Sequence, residues 1–379
     1  MKTKLFLVAV SCLLLFATTV SAQNVANPDA QPHVEVVFVL DSTGSMGGLI
    51  AGAKETIWSI ANEIILQKPT PEVRMGLLTY RDKGDEYVTK MFDITDDIDA
   101  IYGHLQTIRA AGGGDEPESV NQALYEAVNK MEWSPKERKV YRVIFLVGDA
   151  PPHMDYQDDV KYPVTCEAAV EKGIIINTIQ VGNIPRTTPF WKEIAQKTEG
   201  EFVQMALTGN VRVIETPFDR EIAAETQKLN STIIAYGDRR QLAEVAEKVE
   251  LANRAAPAAQ AARGTFNFSA GASRGGSGQA VQGRGDLLFD LNADAKLLEK
   301  TDELPEVMQK MTIEERETYV AEKQVERDAI NKKIGELAAQ RAEWLRTEGE
   351  RQRRAASDAP SFDKSVSEMI QKQWQAFGK

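Results

Sequence analysis

The sequence predicts an α/β protein: a doubly wound, mostly parallel six-stranded sheet with one antiparallel edge strand, followed by a mainly α-helical C-terminal region. Three observations carry this. Apolar β-branched runs alternate with helical spacing from about His33 to Ala206, two of those runs are joined by a turn too short for a crossover, and strand-like runs stop beyond about Thr216.

The first residues, MKTKLFLVAVSCLLLFATTVSAQ, join Lys2 and Lys4 to an apolar stretch and end on small residues, the pattern of a secretory signal peptide cut after Ala22. The apolar run is shorter than the roughly 20 residues of a spanning helix. The expectation is an exported protein, in the periplasm or at the cell surface, with no stable membrane span after cleavage. VEVVFVLD (34–41) is a continuous run of the kind buried on both faces of a parallel sheet, and Leu49 to Leu66 recurs at helical spacing. VRMGLLTYRD and EYVTKMFDIT flank KGD and read as a hairpin. VYRVIFLVGD (140–149), GIIINTIQVG (173–182) and EFVQMA (201–206) are three further strands separated by helical segments.

Beyond the strands, residues 216–263 read as a helical extension interrupted at Pro257. Residues 264–285, rich in glycine, serine and alanine, read as a flexible linker. The rest, 286–379, reads as helical, with a long helix over about 312–354. Thr312 and Glu315 make a capping-box pattern at its start, and Ile330, Ile334, Leu337 and Trp344 form one apolar stripe. That helix either folds back on its own chain or pairs with a coiled-coil partner. Arg284-Gly285-Asp286 spells a tripeptide that integrins recognise, read as coincidence.

At 379 residues the chain exceeds what one core usually fills, and its net charge of -11 argues against nucleic acid, whose phosphates need a basic face. Only Cys12 and Cys166 are present, and signal cleavage removes the first, so no internal disulfide is expected. Cys166 reads as a buried small hydrophobe.

In open α/β sheets ligands bind beyond the carboxyl ends of the strands. Three segments point there: Asp41-Ser42-Thr43-Gly44-Ser45, GGGDEPES (112–119) with Asp115 and Glu118, and VGDAPPH with Asp149 and His153. Carboxylates and hydroxyls, in a chain with three histidines, suit a hard cation with oxygen ligands, Mg2+ more than Ca2+. Thr43 and Ser45 are neutral, so such an ion stays electrophilic. An aspartate followed by serine and threonine is also a common helix N-cap, and His153 reads as a loop residue rather than a base.

D-x-T-x-S after the first strand, an acidic position after a glycine-rich loop and an aspartate after the fourth strand resemble the metal-ion-dependent adhesion site of von Willebrand factor type A domains, in proteins of the exported bacterial kind. The resemblance covers about 33–207. It implies a Rossmann-like sheet whose top edge holds one Mg2+ or Mn2+ ion and binds a partner protein through the partner's acidic residue. It implies Asp41, Thr43, Ser45 and Asp149 as ligands. Glu118 stands where the commonest pattern has threonine; D-x-P-E is similar to integrin β-subunit domains, where the glutamate is a ligand. Asp115 could support a second cation with Asp82 or Asp85, or simply brace the loop.

Two other functions stay open. One is a magnesium-dependent phosphohydrolase with Asp41 as nucleophile, although such enzymes resemble D-x-D and position 43 is threonine; with no acid or base convincingly placed, no enzyme is expected. The other is an envelope scaffold assembling through the C-terminal helix.

Overall fold

The structure is a computed structural model that describes residues 32–135, 139–209, 214–273, 278–349, 351 and 360–377. The expected signal peptide, 1–22, lies outside them.

Strands β1 (His33–Asp41), β2 (Glu72–Tyr80), β3 (Thr89–Thr95), β4 (Val140–Gly148), β5 (Ile174–Val181) and β6 (Phe202–Met205) form one sheet in the order β3-β2-β1-β4-β5-β6. All pairs are parallel except β2 with the edge strand β3. β1 and β4 sit centrally, and every residue of β4 is buried, as its unbroken apolar run demands. The chain steps outward from β1 to β2 and then returns to lay β4 on the other side of β1. Leu40 pairs with Val147 and Asp41 with Tyr80, so the carboxyl ends of β1, β2 and β4 finish level at this switch point.

Helices cover both faces. α1 (Gly47–Ile65) turns Leu49, Ile50, Ala53, Ile57, Ile60 and Ile64 inward, and with α2 (Ile98–Thr107) it packs on Phe38, Leu40, Phe145 and Val147. α3 (Val120–Asn129), α4 (Tyr162–Glu171) and α5 (Thr187–Lys197) cover the opposite face over Val39, Leu78, Ile144 and Leu146. Cys166 is buried in α4, and burial pushes its thiol up to about 12, which leaves it a packing residue.

After β6 come α6 (Asp219–Ser231), α7 (Arg239–Arg254) and α8 (Pro257–Ser273), the short helices α9 (Leu287–Asp290) and α10 (Glu306–Gln309), then α11 (Ile313–Trp344) and α12 (Phe362–Phe377). The linker expected at 264–285 is corrected over 264–273, while 274–277 lie outside the described residues: Pro257 opens α8, a proline-tolerant first-turn position, and the helix runs through 273. Its alanines and glycines serve close approach. Ala262, Phe266 and Ala270 join the core under α1, and a Cβ on Gly264 would run into Thr226 of α6. Arg263 is buried and forks onto Asp99, at 2.7 Å from each oxygen, while Gln282 N donates to the same carboxylate. Asp286 of the Arg-Gly-Asp tripeptide is fully buried and clamped by Arg327 at 2.6 and 3.1 Å, so it is closed to any receptor.

The capping box at Thr312 and Glu315 is formed. Ile334 and Leu337 of the expected stripe pack with Ile222 and Leu229 of α6 and Ala261 of α8, with Ile330 half-buried beside them. The long helix folds back on its own chain, and the seam offered to a coiled-coil partner is used internally. α12 returns to the sheet: Phe362, Val366, Met369, Ile370 and Trp374 join the α1 face, each burial contributing roughly 1.5–3 kcal/mol before entropy. Gln373 receives Tyr141 Oη at 2.6 Å and exchanges bonds with Asn177 at 2.8 and 3.0 Å. Among the described residues no helix is long and apolar enough to cross a membrane.

Candidate metal centre

The three loops beyond the sheet are laced by backbone hydrogen bonds. Ser42 N donates to Tyr80 O, Ala111 N to Ser42 O and Gly44 N to Gly112 O, tying the first loop to the second. Glu118 N donates to Pro151 O and His153 N to Glu118 O, tying the second to the third. Arg81 adds a strut, reaching Ser42 O and Arg109 O. Gly113 has φ of +85, and a Cβ there would press on both Glu118 Oε1 and Thr43 Cβ at 3.3 Å, so glycine is what lets those two side chains share a space.

Within this frame Thr43 donates from its backbone N (2.8 Å) and its hydroxyl (2.7 Å) to Asp41 Oδ1, and its Oγ1 lies 3.4 Å from Ser45 Oγ. Ser45, which is exposed, stands close enough to Asp149 to lower its pKa against the effect of burial. Asp41, Thr43, Glu118 and Asp149 are buried, yet Asp41 Oδ2 and Glu118 Oε2 have no hydrogen-bond partner, and no Lys or Arg among the described residues pairs with any of the three acids. Burial and then the proximity of Asp149 push Asp41 up to about 7, against the pull of Thr43. Burial, Asp41, Asp82, Asp85 and Asp149 push Glu118 up to about 9, and burial raises Asp149 too. Tyr80 is raised well above its ordinary value by burial and by the same three acids. Buried acids without counter-charge normally neutralise or pair. These fit a hard dication: three carboxylates and two hydroxyls, with two carboxylate oxygens left over.

Position 43 contributes a hydroxyl in place of a second carboxylate and commits its proton to Asp41. The ligand atoms of Asp41, Glu118 and Asp149 do not all fall within 4.8 Å of one another; among the described residues, the group that does is Asp82, Asp115 and His153. That group could hold a metal ion. His153 is thus more than the loop residue expected: it is buried, its Nε2 has no hydrogen-bond partner, and it faces Asp82 and Asp115. Asp85 does not join them. Its Oδ2 receives the backbone N of Asp82 and of Gly113, both at 3.2 Å, and so braces the glycine loop. The one signal in the sequence for His153 was an aspartate two residues on, in PPHMD.

Residues 35–216 match the profile of the von Willebrand factor A domain, and the chain carries that domain. Such domains generally serve as protein-binding modules and are commonly non-catalytic. The chain is similar to a putative ariadne-like RING finger protein of Acanthamoeba polyphaga mimivirus, 28% identical over 125 residues, 33% of this chain and 12% of that one. It is similar to the alpha-protein kinase vwkA of Dictyostelium discoideum, 27% identical over 125 residues (33% and 19%). It is also similar to von Willebrand factor A domain-containing protein 7 of Rattus norvegicus, 33% identical over 149 residues (32% and 16%). The match therefore spans less than a fifth of each relative's length.

Proposed function

We propose that the protein is an exported binding module that captures a partner protein by an acidic residue, through an Mg2+ or Mn2+ ion held by Asp41, Thr43, Ser45, Glu118 and Asp149. The observation that carries this is the buried trio of acids with no basic partner and two orphaned oxygens. A bound hard dication would supply the missing positive charge and an electrophilic position for a carboxylate from outside. The residues do the rest. Thr43 orients Asp41 by taking one oxygen and leaving the other free, and Ser45 stands close to Asp149. Gly113 keeps the space between Glu118 and Thr43 open, and the laced loops hold it without large rearrangement. Ser45 and Asp115 are exposed, so a partner reaches the rim directly.

The test is capture of partners from the native envelope with and without Mg2+. Chelator abolishes capture, and Asp41→Ala does the same while its circular dichroism stays that of the parent. Capture indifferent to both would overturn the proposal. Export is tested separately: the mature protein, isolated from its cell, begins at Gln23, and a protein that retains Met1 removes that part of the reading.

A further inference from the structure

We propose that Asp82, Asp115 and His153 form a second cation site, chemically distinct from the first, that takes a borderline transition-metal dication of the zinc class. It goes beyond the reading above and stands whatever occupies the first site.

The argument begins with the imidazole. Nδ1 of His153 lies 2.8 Å from Asp155 Oδ1, an ionised carboxylate that can only accept, so Nδ1 carries the proton. In the neutral ring it is then Nε2 that carries the lone pair. That nitrogen is buried and unpartnered, and it points at two more carboxylates, 3.4 Å from Asp82 Oδ2 and 3.8 Å from Asp115 Oδ2. A lone pair facing two anions is repulsive unless a proton or a metal ion lies between them. The three ligand atoms lie within 4.8 Å of one another, a spacing that one ion can bridge.

The surroundings hold the ring and Asp82 in place. Tyr156 stacks on His153, with centroids 3.9 Å apart and planes 8° from parallel, and its hydroxyl donates to Asp82 Oδ2 at 2.7 Å. Ser119 Oγ donates to Asp82 Oδ1, also at 2.7 Å, and Asn121 Nδ2 fixes the His153 carbonyl at 2.6 Å. Each Asp82 oxygen has a lone pair to spare. A carboxylate on the far nitrogen of an imidazole is the arrangement that orients metal-ligating histidines. Asp115 is 62% exposed, which provides a path of entry.

The donor set decides the class of ion. Mg2+ and Ca2+ take oxygen, whereas one imidazole with two carboxylates and an open position suits Zn2+. The metal-free alternative is an imidazolium with both ring nitrogens protonated, bridging the acids as a charge triad.

The test is calorimetric titration of Zn2+ alone into demetallated full-length protein held in millimolar Mg2+, repeated with Co2+ while following visible absorption. The expected result is one Zn2+ per chain. His153→Gln and Asp115→Asn each weaken its uptake roughly a hundredfold or more while their circular dichroism and melting temperature stay those of the parent, which shows that both variants fold. The Co2+ absorption is lost with them. Absence of Zn2+ uptake by the parent protein favours the charge triad and overturns the proposal. So does a Zn2+ equivalent that survives both variants but vanishes in Asp41→Asn, since zinc would then sit at the first site.

Discussion

The two ends of strand β1 treat a buried carboxylate in opposite ways. At the start, fully buried Glu35 is met by Arg74 at 2.5 Å, by Ser134 through its backbone N and its hydroxyl, and by Arg142 at 3.9 Å. At the finish, equally buried Asp41 has one threonine, one empty oxygen and two further acids for company. The pairs made by the helical half follow the rule of the first end: Asp99 of α2 has Arg263, Asp286 has Arg327, and Asp219 has Arg341. At these four places the chain supplies a guanidinium to an acid that it buries. At the top of the sheet it supplies none, and on that contrast rests the proposal that positive charge comes from outside.

The comparison can be broken from its structural side first. Arg327→Ala strands Asp286 without a partner and is expected to cost about 3–5 kcal/mol in urea unfolding; a loss under about 1 kcal/mol would mean that internal pairs carry little and the contrast is empty. Arg74→Ala, at a site 27% exposed and with Ser134 and Arg142 still present, is expected to cost about 1–2 kcal/mol by the same measurement.

The other side is sharpened by pH. In the metal-free protein Asp41 is held at about 7 and Glu118 at about 9, both above their unfolded values. Acids raised in this way contribute stability that is complete below about pH 4 and is lost as pH climbs through those two values. Mg2+ needs both groups ionised, so the rise in melting temperature caused by Mg2+ should widen from about pH 5 to about pH 9. An increment that stays flat across that range contradicts the assignment of these two acids. The smallest effect is expected from Glu118→Gln, which removes a buried acid lacking a counter-charge: metal-free stability at pH 8 rises by about 1 kcal/mol while Mg2+ affinity falls. A variant that loses stability would mean that Glu118 braces the loop.

The sheet was legible because strands buried on both faces leave unbroken apolar runs, as in VEVVFVLD, and because the hairpin turn KGD cannot hold a crossover. Asp41 and Asp149 could be placed together for the same reason, since strand ends in one parallel sheet must meet, whereas Glu118, which precedes α3, was placed by its likeness to the D-x-P-E pattern. Asp85 and His153 were harder to read. Which of several loop acids faces a histidine is decided by local backbone bonds, such as His153 N to Glu118 O, that leave no pattern in composition. Residues 264–285 misled because small residues serve two ends, flexibility in solvent and close contact between helices, and only the neighbouring Thr226 and Asp99 distinguish them. The partner of α12 was equally unreadable, since Gln373 meets Asn177 across 196 positions of chain.

Because α12 closes one face of the sheet, the unit that folds is longer than the domain the profile matches. A polypeptide stopping near residue 216 would leave Phe38, Tyr141 and Asn177 without their cover, and would be expected to aggregate or recruit a substitute helix. During synthesis the same dependence sets a timetable: the central strands emerge early but cannot finish their core until α12 has left the ribosome. Loss of α12 would therefore loosen a layer lying against β1.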